Sequence, residues 1–431
     1  MKGGIKFGFF ILISALLGGV FSSFIRFDKP YLAKGDFKED LISRGLKGAR
    51  AFSYGEESIY LALENKILKL DKHNNISIER EEKEEIYDLE YYKEKIYYVI
   101  KGKLLSYDLR NKRVEVLLEG IENEGINKED TRLLIKDENI YLAIGTKTNS
   151  GIVDNMGEIQ DVPPVDIILS GRNYDENRKG AFVPYNTKTK KGEEIKGKIL
   201  GNGGLIKYSL ENKEKTLFSY GLRNIKGLDY NSKGEIFATV GGIEDKGYRP
   251  LANDSDYIYK IEGGGTWYGW PDYTGGEPLN SKRFSKEGSP IINFITEEHK
   301  SYKMPKPLYK SHEVNSLKSL VIDREGIFSK EKDSILFFDN RDKKILKFLK
   351  GRDVYDFIDF NPKLDIKDMK IIKGELYILD GYKGVLFKVN NKEEVKIPLY
   401  NYYILIGISI FFIFILLLKL KILFKENRNL K

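Results

Sequence analysis

Cysteine is absent from this 431-residue chain, which excludes disulfides, thiol nucleophiles and Cys-ligated metals together. Histidine is almost absent: His73, His299 and His312 are the only three, too few for a multi-histidine metal centre. No Ser/His/Asp constellation is visible, so hydrolytic chemistry has nothing to stand on. Proline is sparse, at 12 residues. The net charge of +8 does not describe the body of the chain. Lys2, Lys6 and Arg26 carry part of it, and Lys419, Lys421, Lys425, Arg428 and Lys431 carry most of the rest. The residues between are close to neutral, so nucleic acid is not an expected partner.

Aromatic residues and glycine are abundant, with 28 Tyr, 24 Phe and 41 Gly. Aromatic and β-branched residues suit pleated strands, and glycines suit the turns between them. Six copies of one unit follow, each a pair of short strands with Ile/Leu-Tyr/Phe at the centre. They are Ser58–Leu63 with Lys66–Leu70, Lys95–Ile100 with Lys103–Tyr107, and Asn139–Ile144 with Leu205–Tyr208. Then come Glu235–Val240 with Tyr257–Ile261, Asp333–Phe338 with Lys344–Phe348, and Glu375–Leu379 with Gly384–Val389. Period-2 patterning makes these antiparallel hairpins. Six repeats predict an all-β, six-bladed β-propeller over residues 45–392, with a two-sheet sandwich as the rival. Two units are stretched by insertions at 146–202 and 262–332, and long loops on rigid scaffolds are where binding residues gather.

Both ends read as membrane segments. Residues 7–25 are almost wholly apolar and long enough to span a bilayer. They form a transmembrane helix or signal anchor, with a cleaved signal peptide as the rival reading. Residues 402–418 are uncharged, begin with Tyr402-Tyr403 and run into the basic tail. Aromatics favour the interface and Lys/Arg flanks stay cytoplasmic. The expectation is therefore a propeller flanked by two transmembrane helices in the cell membrane. Its body would be extracytoplasmic and its C-terminal tail cytoplasmic.

Four motifs carry a resemblance: Thr146-Lys-Thr-Asn-Ser-Gly-Ile-Val153, Gly180-Ala-Phe-Val-Pro184, Gly221-Leu-Arg-Asn224 and Trp267-Tyr-Gly-Trp-Pro271. In this order they resemble the glucose/sorbosone dehydrogenase family, soluble quinoprotein sugar dehydrogenases on a six-bladed propeller, and in particular its sorbosone-dehydrogenase-like branch. The resemblance covers roughly residues 45–390. It implies oxidation of a sugar or aldose with pyrroloquinoline quinone held over calcium at the propeller's centre. Arg223 and Asn224 match the family's quinone-contacting pair, and a guanidinium fork suits carboxylates and polarised carbonyls. Trp267, Tyr268 and Trp270 offer a wall for a sugar or quinone, against the plainer reading that they pack between blades.

Two parts of the family's pattern are altered. The family's base is a histidine just before the third-blade strand, and Asn127 stands at or near that place here. Glu129 would be the occupant if the alignment moves by two residues. Family members close to the glucose dehydrogenases hold calcium on carbonyls of a polar-Gly-Pro turn, which here reads Val240-Gly241-Gly242-Ile243. Gly241 and Gly242 remain the carbonyl candidates. Asp254 and Asp256 could assist, although a surface turn is the plainer reading of both. His312 falls where family members often carry a histidine, with a structural hydrogen bond as its simpler role. Two functions therefore stand side by side. One is a quinone-dependent sugar dehydrogenase without its base. The other is a non-catalytic propeller that binds a carbohydrate, a cell-wall fragment or a protein partner.

Overall fold

A computed structural model describes residues 31–391, apart from 33–36, 177, 285–290, 297–303, 350, 352 and 362–363. Both apolar terminal runs lie outside the described residues. Among those described, no helix is long and apolar enough to cross a membrane.

The six hairpins read from the sequence are the second and third strands of six sheets, antiparallel throughout except for a short parallel fifth strand, Thr266–Trp267, in the third blade. Each sheet gains an inner strand: Ala49–Gly55, Asp88–Tyr92, Thr131–Lys136, Asn224–Tyr230, Leu317–Asp323 and Ile366–Ile372 in blades one to six. Successive inner strands are neighbours, and the sixth returns to the first, so the sheets close into a ring. The sixth blade takes its outer strand from Phe37–Arg44, beside Val385–Asn391. The propeller therefore begins upstream of the boundary expected at residue 45. A polar strand reading Phe-Lys-Glu-Asp-Leu-Ile-Ser-Arg gave no repeat signal.

Packing follows the alternation of side chains along each strand, which sends neighbours to opposite faces. Six apolar clusters result, one between each pair of adjacent blades. In the third blade, for example, Leu133 packs toward the second blade and Leu134 toward the fourth. The joints are then stitched by a device repeated in alternate blades. Asp88, Asp229 and Asp368 each accept from the next residue's N–H through one oxygen. Their other oxygens accept from Leu133, Ile322 and Phe52 in the following blade, at 2.8, 2.8 and 3.2 Å. A buried carboxyl so paired avoids the large penalty of an unsatisfied one.

The two stretched units come together outside the ring. Ile152, Phe182, Ile243, Leu251, Trp270 and Phe294 are part of one shared apolar cluster. At its centre Arg249 is fully buried. It donates to Ser150 O, Pro271 O and Ile292 O, pairs with Asp272 at 2.7 Å, and lies 4.3 Å from the Phe294 ring centroid. Asp272 in turn accepts from Phe294 N and Ile295 N. These loops form a cap over blades three and four.

Candidate functional site

The upper end of the channel, where inner strands begin, collects the residues expected to meet a cofactor. Arg223 and Asn224 open the inner strand of blade four. Gly221, two residues earlier, has φ +71°, and a Cβ there would stand 2.4 Å from the Trp267 indole. Only glycine fits, which accounts for the first letter of that motif. Arg223 is buried, and its fork is engaged by the protein itself. It donates from Nε to Asn149 O at 3.1 Å, and from its terminal nitrogens to Gly242 O and, at 3.0 Å, Glu244 Oε1. Asn224 Oδ1 accepts from Thr146 N at 3.1 Å.

This arrangement does not fit a divalent cation at Gly241–Gly242. The Gly242 carbonyl already accepts from a guanidinium. A side chain built on Gly241 would meet Lys226 Nζ at 3.6 Å and Arg223 at 3.7 Å. Two fixed positive charges thus crowd the place where calcium was expected, and like charges there repel an incoming metal ion. Asp254 and Asp256 do not help, and neither is on a surface turn. Asp254 is buried, accepting from Tyr257 OH at 2.6 Å, Ile243 N at 2.7 Å and Thr274 Oγ1. Asp256 is buried under Gly242 N, Asn315 N and Leu317 N, all within 3.0 Å. Among the described residues no cluster of three His, Cys, Asp or Glu could hold a metal.

Asn127 is exposed and caps the short 3₁₀ turn Lys128–Asp130, its Oδ1 accepting from Glu129 N at 3.3 Å. Glu129 pairs with Lys367 across the mouth. Burial opposes its ionisation, but the Lys367 hydrogen bond and charge, together with the charges of Lys318 and Arg132, hold Glu129 below the usual range. The neighbouring carboxyl, Asp130, is buried and has Oδ1 without a partner. Burial pushes it above the usual range, while Lys226 and Arg223 pull it back. Five of the six inner strands carry a cation near their start: Arg50, Arg132, Lys226, Lys318 and Lys367. Lys226 reaches Asn315 Oδ1 at 3.2 Å, and Lys318 is lowered by burial and by Lys226. Such a ring favours anions over metal ions. No sequence motif announced it, since each member is one residue of a different repeat.

Trp267, Tyr268 and Trp270 are buried. Trp267 stacks with Tyr220, and its Nε1 donates to Trp270 O at 3.2 Å. Tyr268 donates its OH to Lys260 O and meets the Tyr259 ring edge-on. Trp270 meets Phe182 edge-on inside the cap, and its Nε1 donates to Asn149 O at 3.3 Å. His73 and His312 are exposed, and His299 lies outside the described residues.

No sequence-family profile matches this chain. No curated protein matches it by sequence either. Solved structures do match in fold. The apo soluble aldose sugar dehydrogenase of Escherichia coli aligns with TM-score 0.54 at 13% identity, over 83% of this chain and 100% of its own. The PQQ-bound aldose sugar dehydrogenase of Streptomyces coelicolor gives 0.52 at 12% identity, over 84% and 99%. The calcium structure of a Trichoderma reesei AA12 carbohydrate-active enzyme gives 0.57 at 12% identity, over 84% and 98%. With its six sheets closed around a charged channel, this chain has the propeller fold of the soluble quinoprotein sugar dehydrogenases.

Proposed function

We propose that this protein is a membrane-tethered, extracytoplasmic binding propeller built on the dehydrogenase scaffold, without a working quinone–calcium centre. Its ligand is a carbohydrate, a cell-wall fragment or a protein partner. One observation carries the reading: the Arg223 guanidinium takes the Gly242 carbonyl, and the Lys226 ammonium stands with it beside Gly241. The exposed cap role of Asn127 agrees with it, because an amide cannot serve as a general base. The tether rests on the terminal runs 7–25 and 402–418. A second reading, quinone-dependent sugar oxidation of the sorbosone-dehydrogenase type, keeps support from Arg223 and Asn224 at the upper end. It also draws on fold neighbours that bind PQQ or calcium. The test is titration of the detergent-solubilised full chain with pyrroloquinoline quinone, with and without calcium, following quinone absorbance. No saturable change is expected. Saturable, calcium-dependent binding would restore the dehydrogenase reading.

A further inference from the structure

A cavity of the channel lies away from its upper end. Arg132 reaches across from blade three to donate to Lys367 O in blade six, at 2.9 Å. Below it opens a cavity of ≈ 480 Å³. This adjoins a wider cleft at the lower end, where inner strands finish, and the two share Lys136, Asp137, Tyr230 and Arg324. Arg223, Asn224 and the tryptophan loop contribute nothing to either.

The lining carries five acidic and five basic side chains, so its charges cancel in sum. Lys370 pairs with Glu90, and Arg324 pairs with Asp229 while lying 3.9 Å over the Tyr230 ring. Asp88 and Asp368 rest on backbone N–H groups. A ligand with net charge would lose its hydration against a wall whose charges sum to zero. Hydrogen-bonding capacity is left over, however. A carboxylate accepts at about four sites, and Asp88 and Asp368 each receive only two bonds. Arg132 is 7% exposed, and its Nε–H has no partner. Tyr91, Tyr92 and Tyr230 add ring surface to the lining. Mixed donors and acceptors, aromatic surface and no net charge are the chemistry of hydroxyl-rich neutral molecules. The volume lies within the roughly 300–1,000 Å³ usual for small-ligand sites.

We propose that this lower chamber binds a neutral sugar, one or two rings in size, which enters from the lower end. The site shares Lys226 with the upper end but uses none of Arg223, Asn224 and the tryptophan loop. Glucose and maltose serve as probes, with glucuronate as the charged control, in equilibrium dialysis of the detergent-solubilised full chain. Saturable binding of a neutral sugar is expected, with glucuronate weaker. Arg132→Met should weaken it about tenfold, the loss of one hydrogen bond to a charged group. Lys332→Trp alters only an exposed rim residue of the lower cleft. It should also weaken binding severalfold with unchanged thermal unfolding, which keeps the test open if Arg132→Met misfolds. No saturable binding of either neutral sugar, tighter binding of glucuronate, or binding untouched by Lys332→Trp would each overturn the proposal.

Discussion

The ring and the cap are held together by different physics. In the ring, six apolar interfaces repeat one pattern, and polar groups serve as stitches between blades. In the cap, built from the loops of blades three and four, one apolar cluster surrounds a single buried ion pair, Arg249–Asp272. Stability in the ring is spread over many modest contributions, none decisive. Stability in the cap converges on two side chains that reach the backbone at Ser150, Pro271, Ile292, Phe294 and Ile295. The cap also reaches the site, because Asn149 O, Gly242 O and Glu244 hold Arg223 in place.

Removing Arg249 tests this difference most severely. Arg249→Met leaves the Asp272 charge buried and uncompensated, at a cost of about 3–5 kcal/mol. Hydrogen exchange should quicken across 146–296 while amides of the inner strands keep their protection. Equal loss in the ring would erase the distinction between the two regions.

Titration separates them more gently. Burial pushes Asp88, a ring stitch, up to about 7, and Asp161, a cap carboxyl bonded to Thr148 and Lys147 N, up to about 6. Both exceed the unfolded value near 4, so the folded chain holds the extra proton. That contribution is complete below about pH 4 and is lost as pH rises through the folded value. Asp88→Asn should therefore gain on the unsubstituted protein from about pH 4 to 7 and level off above. Asp161→Asn should level off near pH 6. Denaturant unfolding across pH 4–8 measures both, and coincident plateaus would count against the separation.

The smallest effect concerns hairpin turns. Glu56-Glu57, Lys93-Glu94 and Asp137-Glu138 form two-residue turns with both φ values positive. Side chains resist this left-handed region, and Asn-Gly fits it. Replacing Glu56-Glu57 by Asn-Gly should raise ring stability by about 1 kcal/mol in denaturant titration. An unchanged midpoint would show that these turns carry no strain.

The middle strands of every blade were legible because both of their faces are buried, which forces dense apolar runs. Outer strands were not. Ile76–Glu81 is largely exposed and reads Ile-Ser-Ile-Glu-Arg-Glu, which is ambiguous without its partner. The Arg223-Asn224 position was legible through a contiguous motif. Asp130, Arg132, Lys226 and Lys370 were not, because their meaning arises only where strands from separate repeats converge. Asp254 and Asp256 were misread as a surface turn, since a polar run gives no sign of the Tyr257, Thr274 and backbone donors that bury it.

Ring closure has a consequence for synthesis. The outer strand Phe37–Arg44 docks on Val385–Asn391, with Asn390 donating to Asp40 across 350 residues of chain. At about 5–20 residues per second, the first strand waits roughly 20–70 s for its partner to be made. An unpaired strand edge invites wrong neighbours over such an interval, and charge along it discourages them. Lys38, Glu39, Asp40 and Arg44 place four charges in eight residues there. The same polarity that hid this strand from the repeat pattern keeps the nascent chain from pairing before the ring can shut.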